Sequence, residues 1–170
     1  MADADRIVEK EIRRINDLKE ALKFTLKWEG GYSNDPNDPG GETKWGISKA
    51  AYPNEDIENL TRERALQIYQ TDYWKPLGCD DLPYPYNVAV FDTAVNCGVN
   101  RARDWLAKSA NMEEFMEYRH QHYITIINKN PKLMKYARGW WNRQSDLQKY
   151  LAINGEEGDG NSSLGLPPAA

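Results

Sequence analysis

The chain of 170 residues is poor in the side chains that metal and redox chemistry use, with two cysteines and two histidines. Cys79 and Cys97 are too far apart for a paired-cysteine motif, and His120 and His122 cannot share one helix face at that spacing. The reading is therefore two reduced thiols, no metal and no cofactor. Long apolar runs are missing as well. The longest, around residues 88–95, is interrupted by Asp92 and falls far short of the roughly 20 residues of a bilayer span, so no stable membrane association is expected. Nor does Met1-Ala2-Asp3-Ala4-Asp5-Arg6 resemble a basic-then-apolar leader. Positive charge is in deficit, with 22 Lys and Arg against 26 Asp and Glu, a net charge of −4 and a pI near 5.3. With none of the usual motifs present, nucleic-acid binding is excluded.

What is present is a globular composition, 40 % hydrophobic and 28 % charged, in a length that suits one domain. Val8, Ile12, Ile15, Leu18, Leu22 and Leu26 recur in steps of three and four and predict one buried helical face over 6–28. One more step lands on Glu29, and Gly30-Gly31 stops the helix. From Gly30 to Asn59 the helical period gives way to turn formers, read as a loop with short strands and pinned by Tyr32, Trp45, Ile47 and Tyr52.

Helices resume at Thr61, a cap for Arg62 to Tyr73, and again at Asn87 to Cys97, apolar nearly all round and so central to the fold. Asn100 is read as the cap of a short helix to about Ser109. Asn111 with Glu114 forms a capping box for a helix whose inward face includes Phe115, Arg119 and Tyr123, and Asn130-Pro131 opens the last helix. The segment from Gly155 on is Gly, Ser, Pro and acid, and is read as a flexible tail.

The chemistry points first to Glu29. A carboxylate at a helix C-terminus faces the negative end of the macrodipole, and on a buried stripe it loses water; both effects favour the protonated form that a general acid needs. The loop that follows delivers Asp35, Asp38, Glu42 and Thr43. Glu29 facing Asp38 and Thr43 is a workable layout for cleaving a sugar acetal, with Glu29 protonating the leaving oxygen, Asp38 stabilising the oxocarbenium-like centre or taking a proton from water, and Thr43 holding that water. Two other readings of the loop stand beside this one. Asp35 and Asp38 each precede a proline and suit Asx turns, and the acidic run suggests a calcium loop whose ligand spacing Pro36 and Pro39 interrupt. Aromatic side chains supply stacking faces for sugars: Tyr32 and Trp45 flank the loop, and Trp140 or Trp141 either lines a far wall or packs in the core. Asn96 either binds an acetamido group or caps its helix. Residues 129–149 hold six basic residues against one acid, either a face for a polyanion or a solvated helix surface.

Glu29-Gly30-Gly31-Tyr32, then Asn34-Asp35-Pro36, Asp38, Gly40-Gly41, Thr43 and Gly46-Ile47, resemble the signature of glycoside hydrolase family 108, the peptidoglycan lysozymes of bacteria and phages. The resemblance runs through Asp92 to Gly98 and reaches Gly139-Trp140-Trp141-Asn142-Arg143, which is similar to the family's peptidoglycan-binding region. It implies a mainly α, lysozyme-like single domain with a long loop or short β-hairpin after the first helix. The domain would span 1–154, with a catalytic part at about 6–98, a peptidoglycan-binding part at about 99–154, and a tail at 155–170.

The resemblance further implies a lysozyme, an N-acetylmuramidase with Glu29 as its essential residue. Asp38 and Thr43 join it by analogy with phage-type lysozymes; Tyr32, Trp45, Asn96, Trp140, Trp141 and Arg143 are the candidate substrate-binding residues. A monomer acting on peptidoglycan glycan strands is expected, held in the cytoplasm until a holin-type pore or a dedicated secretion system releases it to the periplasm or cell wall. The rivals are a lytic transglycosylase acting on the same bond and a wall-binding module without catalysis.

Overall fold

The computed structural model describes residues 2–34 and 41–158. Six α-helices carry the architecture: α1 (Ala2–Leu26), α2 (Arg62–Tyr69), α3 (Tyr86–Cys97), α4 (Val99–Lys108), α5 (Met112–Lys129) and α6 (Met134–Gly158). One antiparallel hairpin, β1 (Thr43–Lys44) and β2 (Ile47–Ser48), follows α1, with Thr43 opposite Ser48 and Lys44 opposite Ile47. This is the mainly α, lysozyme-like arrangement with a short hairpin that the sequence implied. No described helix is long and apolar enough to cross a membrane.

α3 runs through the middle because apolar residues lie on nearly every side of it, with Asn87, Asp92 and Thr93 as its buried polar groups. Val88, Ala89, Val90, Phe91 and Ala94 are fully buried, and α1, α4, α5 and α6 all pack around it. Phe91 is met edge-on by Tyr69 and Trp74, and Phe115 of α5 is met in the same way by Tyr86 and Trp105. Thr61 caps α2 by accepting a hydrogen bond from the Arg64 backbone N–H. The helix then widens into one π-helical stretch at Gln70–Trp74. Asn111 caps α5 as its sequence predicts, while Glu114 reaches back to the N–H of Ala110, one residue before the cap.

Three local readings need correction. The apolar stripe of α1 is buried only in its second half: Leu18 and Leu22 enter the core, but Val8, Ile12 and Ile15 are exposed, because a helix of 25 residues is roughly 37 Å long and outreaches the body it packs on. Asn100 lies inside α4, which starts at Val99 directly after Gly98; the φ of +97° at Gly98 makes the sharp break from α3 that a residue with a Cβ would resist. Pro131 opens a single 3₁₀ turn, Pro131–Leu133, before α6 proper.

Candidate active site

α1 ends at Leu26, and the chain continues as a turn in which the N–H groups of Trp28 and Glu29 both reach the Thr25 carbonyl. This turn aims the Glu29 side chain at α6 on one side and at the hairpin on the other. Its carboxylate is about one-fifth exposed. Oε1 accepts a hydrogen bond of 2.8 Å from Nη1 of Arg143, whereas Oε2 has no hydrogen-bond partner among the described residues.

Arg143 owes its position to Asp92. This carboxylate sits in the apolar middle of α3 with no exposure, so it must be compensated. Arg143 gives it Nη2 at 2.7 Å and Nε at 3.2 Å to both oxygens; Arg119 of α5 gives Nη1 at 2.8 Å, and the Thr25 hydroxyl donates at 2.9 Å. Burial by itself would push the Asp92 carboxyl up, but the charges of Arg119 and Arg143 outweigh it and hold the carboxyl below its ordinary value. Burial likewise opposes charge on Arg143, and Asp92 followed by Glu29 overrides it and raises its pKa. Two guanidinium groups face the single carboxylate of Asp92, and one of them, Arg143, also reaches Glu29. The sequence reading gave Glu29 a helix end and an apolar stripe as neighbours; the structure adds this cation.

The other flank is the hairpin. Its connection is the pair Trp45-Gly46, both with positive φ (+51° and +75°), as the two-residue turns of type I′ require. The turn folds Gly46 directly over Glu29: a Cβ built there would lie 2.6 Å from the Tyr69 hydroxyl, 3.0 Å from Glu29 Cγ and 3.1 Å from Glu29 Oε2. Glycine is therefore required twice, by the backbone and by the space. Tyr69, buried on α2, donates its hydroxyl to the Trp45 carbonyl at 2.6 Å and so clamps the turn. Burial, and after it the Glu29 carboxylate, push this phenol upward, which keeps it a donor.

The remaining sequence candidates are distributed unevenly. Asp38, with Asp35, lies outside the described residues. Thr43 is on β1, half-buried; its backbone pairs with Ser33, and its hydroxyl donates to the Gly41 carbonyl at 3.1 Å. Tyr32 is exposed and donates to Glu42 at 3.0 Å, which suits a rim position. Trp140 stacks on Tyr123 with ring centroids 5.4 Å apart and planes 13° from parallel, so one of its faces is already used. Trp141 is half-buried. Asn96 accepts the Tyr123 hydroxyl at 2.5 Å, and Tyr123 in turn accepts from Nε of Arg119. Its carbonyl thus completes the buried network. Arg143, expected to touch substrate, is buried with its donors directed at Asp92 and Glu29.

Sequence reasoning missed Asp92, Arg119 and Tyr69 as parts of the site. The signal for the first was a charge inside an otherwise apolar helix, which cannot stand alone.

The sequence model of the family described as Glycosyl hydrolase 108 matches residues 22–98, a stretch that carries Glu29, the hairpin, Tyr69 and Asp92. No curated protein matches the sequence. Among solved structures, the fold is similar to that of Brucella abortus SagA, with a TM-score of 0.65 over 80 % of this chain and 94 % of that one, at 24 % identity. Through residues 22–98, which hold the carboxylate and the turn packed over it, this chain is similar to glycosyl hydrolase family 108.

Proposed function

We propose that this protein is a glycosidase, a peptidoglycan hydrolase that cleaves the β-1,4 bond between N-acetylmuramic acid and N-acetylglucosamine. Glu29 is the proton donor. The observation that carries this reading is the asymmetry of its carboxylate: Oε1 is fastened by a buried guanidinium, while Oε2, beside the Gly46 turn, has no described partner. A general acid must be held in place and still have an oxygen from which to give a proton, and this arrangement meets both needs.

Arg143 acts here as a positioning residue, since its contacts fix the acid and leave little to offer a sugar. Asp38 and Thr43 hold and deprotonate the attacking water, so attack comes from the face opposite the leaving group and the anomeric configuration inverts. Tyr32 and Trp45 line the loop side of the cleft, and Trp141 with Trp140 lines the α6 side.

Product analysis tests the chemistry. Digested glycan strands should end in a reducing muramic acid, and proton NMR of the first-formed end should show the α anomer. A retained β anomer removes the inverting step; a 1,6-anhydro muramic end replaces the hydrolase with a lytic transglycosylase.

A further inference from the structure

Beside the Glu29–Arg143 pair lies a shallow hollow of about 480 Å³, lined by Lys27, Trp28, Asn142, Ser145, Asp146 and Lys149. It belongs to the same two segments as the pair. Lys27 and Trp28 immediately precede Glu29, and Asn142 immediately precedes Arg143. Asn142, Ser145, Asp146 and Lys149 follow one another at helical spacing and form one face of α6.

The charges in this hollow are arranged unequally. Asp146 is already satisfied, accepting from the Trp28 indole N–H at 3.0 Å and pairing with Lys27. Lys149 has no ion-pair or hydrogen-bond partner among the described residues, so the hollow carries one uncompensated ammonium beside an indole, an amide and a hydroxyl. Such a set receives a carboxylate on a partly apolar arm.

We propose that this hollow is a subsite for the peptide stem of peptidoglycan, with Lys149 receiving a stem carboxylate. The inference rests on the reading of the Glu29 site as one that cleaves next to muramic acid. In that substrate the stem is attached through the lactyl ether at C3 of the same sugar whose C1 is attacked, so the arm must leave the cleft close to Glu29. The hollow is the cationic recess at that place. The lactyl group itself bears a free carboxylate only when the stem has been removed, which allows the two sources of negative charge to be separated.

The test compares uncross-linked glycan strands bearing peptide stems with the same strands stripped by an amidase. Wild type, Lys149→Met and Lys149→Arg are assayed for reducing ends at low and at high salt. Lys149→Met should raise KM for stem-bearing strands about fivefold at low salt, in line with one exposed ion pair, and leave kcat unchanged. Stripped strands should show no difference, Lys149→Arg should restore the wild-type KM, and added salt should erase the gap. Equal KM values for wild type and Lys149→Met on stem-bearing strands overturn the subsite while the glycosidase reading stands. A KM increase confined to stripped strands assigns the hollow to the lactyl carboxylate and also overturns it. Wild-type protein that releases reducing ends from neither substrate overturns the reading of the Glu29 site, and the subsite with it.

Discussion

On the α6 side of Glu29, side chains from α1, α5 and α6 converge on Asp92 of α3, and Arg143 ties Glu29 to the centre of the molecule. On the hairpin side, Glu29 meets a two-residue turn held by a Tyr69 hydroxyl and short runs of backbone bonding. The first side is fixed by charges that cannot be moved without exposing or orphaning them; the second is fixed by shape. The contrast assigns the two flanks different work. In the proposed mechanism the network sets where Glu29 stands, and the hairpin sets what can approach Oε2.

The largest effect should come from the network. Asp92→Asn leaves two buried guanidinium groups facing a neutral amide and should cost about 3–5 kcal/mol in urea unfolding. The pH dependence follows from the lowered folded pKa of Asp92. Its stabilisation is fully present above the unfolded value of about 3.9 and is lost as pH falls through the lower folded value. The wild-type urea midpoint should therefore drop below about pH 4, and the drop should be smaller in Asp92→Asn. A mutant with the same acid profile as wild type would remove Asp92 from the account.

Arg143→Lys comes next and separates positioning from charge. A single ammonium cannot bridge Asp92 and Glu29 as the fork does, so kcat on peptidoglycan should fall about 10²-fold with KM little changed. A rise in KM alone would return Arg143 to the substrate-binding role suggested by the sequence.

Gly46→Ala probes the shape side. The left-handed backbone costs about 1–2 kcal/mol with a side chain, and the new methyl must displace the Tyr69 hydroxyl or Glu29. Activity should fall further than that stability loss explains, which melting and turnover measured on the same preparation will show. The smallest effect belongs to the outer half of α1, where Ile12→Lys should change stability by no more than about 0.5 kcal/mol.

Periodicity was enough to place the central helix and to put Glu29 just beyond the end of α1, and capping residue types placed Thr61 and Asn111. It failed at Val8, Ile12 and Ile15, because a stripe of apolar residues marks a face and does not say how far the rest of the chain extends along it. Arg143 was noticed as a substrate contact and not as the partner of Asp92 and Glu29. Its partners lie 51 and 114 residues away, and no local spacing encodes a contact of that range. Asp92 and the inward-facing Arg119 were nonetheless visible as charges on buried faces, and a demand that each find an opposite charge would have paired them. Trp28 left no such trace, since an indole at a helix end looks the same whether it packs or lines a hollow.

The central claim is that Glu29 supplies the proton, and the most direct measurement is the lysis of permeabilised cells by Glu29→Gln beside wild type, with melting curves and pelleting on purified sacculi as controls. A folded variant that binds sacculi and lyses at least about 10²-fold more slowly is the predicted result. A folded Glu29→Gln protein that clears the suspension at the wild-type rate would contradict it.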